Sequence, residues 1–142
     1  MCIITKEIKV AAKDIIVYKV ATYNYEEGQI YTLFRSLGGG EEPEPINESL
    51  HKNDILFDRE FGFSSFQFIE DCKIYIEELL EYGKIHKLCD SLVIIKLKIP
   101  KGIRYAKGYI SPKYRGAGLS ARRSERLEYI RGEVLIQETF NF

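Results

Sequence analysis

The sequence predicts an α+β domain in which one amphipathic helix packs on a mixed or antiparallel sheet of about five or six strands. Three observations carry that expectation. Strand-like runs rich in β-branched and aromatic residues lie on both sides of a single helical pattern. At 142 residues the chain has the usual size of one domain, 1–142, and can bury a core without staples. Its 45% apolar and 13% aromatic content is globular.

The elements follow in order. Asp14 to Tyr23 (DIIVYKVATY) has the β-branched and aromatic letters of a strand, Asn24 to Gly28 supplies a turn, and Gln29 to Arg35 returns, so a hairpin is expected. Leu37 to Pro45 (LGGGEEPEP) is too rich in Gly and Pro for a regular element and reads as a surface loop. Gly38-Gly39-Gly40 runs into Glu41-Glu42, which repels phosphate and argues against a phosphate-binding loop. Glu41 to Glu60 forms the acidic half of the chain.

Phe61 to Phe66 reads as a short strand or turn leading into a helix over about 67–82. Phe68, Cys72, Tyr75, Ile76 and Leu79 recur at helical spacing, Ser64 or Ser65 can cap the start, and Gly83 can end it. Ser91 to Ile99 (SLVIIKLKI) is a strand closed by Pro100-Lys101-Gly102, with another near Ile103 to Ile110. Ser111 to Arg126 reads as a flexible basic loop, and Leu127 to Glu138 resumes strand-like alternation.

Composition narrows the function classes. Lys+Arg and Asp+Glu are 21 each, so no global field draws the chain to nucleic acid or an acidic membrane. Cys2, Cys72 and Cys89 form no CxxC pair and fit reduced thiols in a cytoplasmic setting. Lys6, Glu7 and Lys9 interrupt any signal-peptide core, and no apolar run nears the ~18 residues of a membrane span. His51 and His86 are the only histidines, too few for a close-spaced metal set, and no GxSxG elbow is present. No metal, cofactor or catalytic residue is expected. An N-terminal Cys2 nucleophile would need an amine and an oxyanion hole that nothing here supplies.

What remains is the basic segment. Tyr105, Tyr109 and Tyr114 lie among Lys107, Lys113, Arg115, Arg122 and Arg123, which puts stacking faces beside phosphate-binding forks. The expected site has Arg115, Arg122 and Arg123 on phosphates, Phe63 and Tyr105 on a base, and Ser64 or Ser65 on a ribose, with Tyr18, Lys19 and Tyr114 nearby. The bland alternative is a solvated loop whose arginines pair with the acidic half or a partner protein.

Three stretches also carry a resemblance: IVYKV at 16–20, GFSSF at 62–66 and VIIKLKIPKGIRYAKGY at 93–109. Together they resemble short phage and bacterial proteins with a VYKV strand, a GFHAF turn plus helix, and a V-K-IP-G-Y-G hairpin. The layout is also similar to the core of ADP-ribosyltransferases. That resemblance sets Lys19 where one class has Arg and Ser64-Ser65 on its Ser-Thr-Ser turn, and implies recognition of NAD or ADP-ribose. The pattern departs at the catalytic Glu, because Gln137 and Glu138 are adjacent, and the other class's His is missing near Tyr18.

A pocket of that kind without its acid binds and does not turn over. In size, aromatic content and basic residues the chain is similar to oligomeric phage proteins that sequester nucleotide signals. The resemblance implies an anti-defence protein capturing a cyclic ADP-ribose isomer or a cyclic dinucleotide. The alternatives are an enzyme using Glu128, Glu133 or Glu138 on such ligands, and a protein-interaction module.

Overall fold

The structure is a computed structural model that describes residues 3–24, 26–32, 63–81, 91–110 and 120–135. Eight strands form one sheet: β1 (Ile3–Val10), β2 (Ile15–Asn24), β3 (Gln29–Thr32), β4 (Phe63–Phe66), β5 (Ser91–Ile99), β6 (Arg104–Ile110), β7 (Ser120–Ser124) and β8 (Glu128–Leu135). The described residues hold one helix, α1 (Ile69–Glu81). The sheet runs β1-β6-β7-β4-β2-β5-β8, with β3 beside β2, and every recorded pair is antiparallel. The architecture is therefore α+β, with more strands than the five or six expected.

The two unexpected strands have physical explanations. β1 carries Lys6, Glu7 and Lys9, charges that hide its alternation and suit a strand that, among the described residues, has a neighbour on one side only. β7 reads Ser-Ala-Arg-Arg-Ser, with no β-branched or aromatic residue, yet it is hydrogen-bonded to β4 on one side and β6 on the other. Pairing on both edges overrides its weak strand propensity. The expected flexible loop over 111–126 is thus corrected at 120–124, while 111–119 lies outside the described residues.

The β2–β3 hairpin forms as expected, and its turn chemistry is visible. Asn24 Oδ1 accepts from the backbone N–H groups of Glu26 at 2.9 Å and Glu27 at 3.1 Å, and Gly28 closes the turn at φ 66°. An Asn side chain bonding the following backbone and a left-handed Gly are the two devices such a turn needs. The helix starts two residues later than expected. Ser64 and Ser65 belong to β4 and do not cap it; Asp71 N–H donates to the Phe68 carbonyl at 3.2 Å, and Glu70 and Asp71 place negative charge on the first turn. Phe68, expected on the buried face, precedes the helix and is 50% exposed.

Alternation divides the sheet into two faces. On one, Val17, Ala21, Val93, Ile95, Leu97 and Ile99 join Ala11 and Leu127 in a buried cluster, edged by Tyr23, Ile30, Ile103 and Tyr105. On the other, Phe66 meets Tyr75 of α1 at a centroid distance of 5.3 Å, and Cys72 and Ile76 are buried beside them. These are called the cluster face and the helix face. β5 is buried on both, which is why its sequence reads as a nearly unbroken apolar run.

Gly132 of β8 lies close under the cluster. A Cβ there would sit 3.1 Å from Ile30 Cδ1, 3.2 Å from Tyr129 Oη and 3.3 Å from Ile95 Cγ2. Gly132→Ala is expected to lower stability by about 1 kcal/mol through overpacking, read as a fall in urea midpoint with unchanged slope. An unchanged or raised midpoint would show that the β8 edge relaxes freely.

Candidate functional site

The ladders locate the expected site residues on the sheet. β4 and β7 pair Phe63 with Ser124, Ser64 with Arg123, Ser65 with Arg122 and Phe66 with Ala121. β6 and β7 pair Tyr105 with Ser124, Ala106 with Arg123 and Lys107 with Arg122. Residues directly opposite share a face and successive residues alternate. Arg122 and Arg123 consequently point to opposite sides of the sheet. They cannot close on one phosphate together, so the three-arginine clamp is not assembled in the form expected.

The cluster face receives Ser65, Tyr105, Lys107 and Arg122. Lys19 opposes Ile95, a member of the buried cluster. Tyr18–Phe66 is the one recorded pair between β2 and β4; one residue along, Lys19 Nζ donates to the Ser64 carbonyl at 2.8 Å and lies within electrostatic reach of Cys72 on α1. Ser65, Arg122 and Lys107 therefore form one row across β4, β7 and β6. Tyr105 is diagonal to Arg122, whose guanidinium carbon lies 5.5 Å from the centre of the Tyr105 ring. Ser65 is fully buried, and its hydroxyl donates to the Arg122 carbonyl at 3.3 Å.

The helix face receives Tyr18, Ser64 and Arg123, the last only 6% exposed. Phe63 stands opposite Ser124 in the ladder, but the stacking role expected of its side chain lies outside the described residues, as do Tyr114, Arg115, Glu138 and the acidic stretch 41–60. Lys107 received no ligand role from the sequence. Its signal was spacing: Tyr105 and Lys107 are two apart in β6 and so share a face.

The electrostatics around Arg122 and Lys19 are set by burial. Three other described cations have carboxylate neighbours: Lys98 lies 3.2 Å from Glu128 and 3.8 Å from Asp14, Arg104 3.3 Å from Glu125, and Arg126 3.2 Å from Glu128. Among the described residues, Lys19, Arg122 and Lys107 have no carboxylate partner. Arg122 Nε is buried without a hydrogen-bond partner, and burial lowers the guanidinium pKa, opposed by Tyr105. Burial pushes the Lys19 amine down to about 8. Burial in turn raises the Cys72 thiol, so it stays protonated and offers Lys19 no counter-charge.

Like charges directly opposite on a sheet, as Arg122 and Lys107 are, destabilise it. Desolvated cations without partners do the same. An arrangement that is costly in the empty protein and complementary to an anion is what a binding site presents. Among the described residues, no group of three His, Cys, Asp or Glu could hold a metal ion, and no helix is long and apolar enough to cross a membrane.

These features define an antiparallel sheet protein with a cationic row beside an aromatic ring. Comparison with family models, curated proteins and solved structures returned no match for the chain.

Proposed function

We propose that this protein captures a nucleotide-derived, phosphate-bearing small molecule and releases it unchanged. The observation that carries this reading is Arg122, half-buried with an unpartnered Nε, over the Tyr105 ring and directly opposite Lys107, with no carboxylate on either among the described residues. Arg122 supplies a fork shaped for phosphate, and the Tyr105 ring below it supplies an aromatic surface. The zero net charge of the chain favours a small anion over a nucleic acid, whose binding draws on a broad basic surface.

Nothing acidic in the described part of the row is placed to polarise a bound ligand. Glu128 is engaged by Lys98 and Arg126 on the opposite side of β5 from β2. This favours binding without turnover. Cyclic ADP-ribose isomers and cyclic dinucleotides are the ligand classes proposed, in keeping with a phage anti-defence role in a host cytoplasm.

Thermal-shift and calorimetric titration of the full chain with ADP-ribose, its cyclic isomers and cyclic dinucleotides tests the proposal. At least one ligand is expected to raise Tm in a concentration-dependent way and to be recovered intact by mass spectrometry after denaturation. No shift across the panel rejects the binding reading. Recovery of a converted product replaces it with an enzyme.

A further inference from the structure

We infer that the open edge of β1 is a homodimer interface, where two copies of the chain pair their β1 strands antiparallel about a two-fold axis at Ile8. Among the described residues the strand has β6 as its one neighbour. Ile8 and Val10 are 50% and 62% exposed, and Val10 is the most exposed of the described large apolar side chains. The two share a face because they are two apart in the strand. Ile8 opposes Ala106 and Ala106 opposes Arg123, which sets them on the helix face.

The backbone presents its hydrogen-bonding groups along this edge. Ala11 N–H donates to the Ile103 carbonyl at 3.0 Å, one step beyond the Val10–Arg104 pair. In an antiparallel ladder successive residues turn their N–H and C=O alternately toward a neighbour and away from it. Ala11 and Lys9 therefore face β6, while Val10 and Ile8 turn theirs to the open edge. Opposed across a two-fold axis, two Ile8 residues exchange N–H···O=C bonds in both directions.

Charge selects the register. A two-fold axis perpendicular to the sheet keeps each face on its own side, so residues that meet must lie an even number of positions apart in the sequence. Centred on Ile8, the pairing sets position Glu7 of each copy opposite Lys9 of the other and joins Ile8 and Val10 of both copies in one apolar strip. Centring on Glu7 opposes two glutamates, and centring on Lys9 opposes two lysines. The same charges that deter a mismatched strand thus become complementary in one register. Lys6, the extra residue where the β1–β6 register shifts, ends the regular stretch, so the interface is small and association is weak and concentration-dependent.

Sedimentation velocity on the full, ligand-free chain over a concentration series is expected to show the mass moving from one chain toward two. Lys9→Glu turns both charge pairs into like-charge contacts and is expected to raise the dissociation constant at least ~10-fold. Glu7→Lys does the same from the other side; its position also opposes Lys107 in the β1–β6 ladder, so a urea midpoint checks its folding. An equal mixture of these two variants is expected to associate like the wild type, because each position 7 again meets an opposite charge at position 9. Ile8→Asp, which opposes like charges on the axis at an exposed position, is expected to abolish association without touching Glu7. Ile130→Asp, the corresponding change on the exposed edge strand β8, should leave it as it is.

A single-chain mass at every concentration would overturn the inference. So would a dimer that survives Lys9→Glu and Ile8→Asp, one that Ile130→Asp dissolves, or a mixture of folded charge variants that stays monomeric. Each reading is made without ligand, so the outcome stands apart from that of the binding experiments.

Discussion

Arg122→Ala is expected to weaken phosphate-bearing ligands by roughly 10- to 100-fold and to leave the protein folded, whereas Arg123→Ala is expected to destabilise the fold with little selective effect on binding. The two residues are neighbours in β7 and differ because the pleat turns them to opposite faces. Arg122 stands in the cation row with a buried, unpartnered Nε and a guanidinium over Tyr105. Its loss removes a charge-assisted contact worth about 1.5–3 kcal/mol to an anion. It also relieves like-charge repulsion with Lys107, so the empty protein should lose little stability.

Arg123 is 6% exposed and faces Ser64 and Ala106 on the helix face. Its aliphatic stem is part of the packing there, and truncation leaves a cavity costing about 2 kcal/mol or more. Paired urea denaturation and calorimetry separate the two effects. A matched loss of affinity in both variants, with both still folded, would show that the ligand contacts both faces and would refute the one-face site.

The contrast also explains what was legible in the sequence. SLVIIKLKI announced β5 because a strand buried on both faces needs apolar letters at nearly every position. Cys72, Tyr75 and Ile76 announced the helix because their spacing makes one buried stripe. β7 was silent: Ser-Ala-Arg-Arg-Ser has neither propensity nor apolar alternation, and its strand character comes from β4 and β6, distant in sequence. Reading it as a loop let Arg122 and Arg123 serve one ligand; a strand forbids that.

Lys19 was placed in the site by the sequence, but its desolvation was not readable there. That follows from its position on β2 between the stretch paired with β3 and the pair with β4, where its amine turns to the Ser64 carbonyl. Lys107 was named in the basic segment but given no ligand role, because its place opposite Arg122 depends on a ladder register that is not written in local composition.

Lys19→Met is expected to raise the stability of the ligand-free protein at pH 7, and the gain is expected to fade as pH rises to about 10. The Lys19 amine donates to the Ser64 carbonyl of β4 and lies near the protonated Cys72 thiol of α1, neither of which supplies an opposing charge. Its pKa stands at about 8 in the folded protein against an ordinary 10.5. Between those values the unfolded chain binds more protons than the folded one, so wild-type stability rises with pH through that window. Below it the folded protein bears the cost of a buried cation. A difference of this size has a ceiling near ~3 kcal/mol, reduced by the partial exposure of the side chain and by the ~1 kcal/mol hydrogen bond that Met cannot make. A net gain of about 1 kcal/mol at pH 7 remains. Urea denaturation of both proteins from pH 7 to 10 measures it, and a stability gap independent of pH would refute the depressed amine.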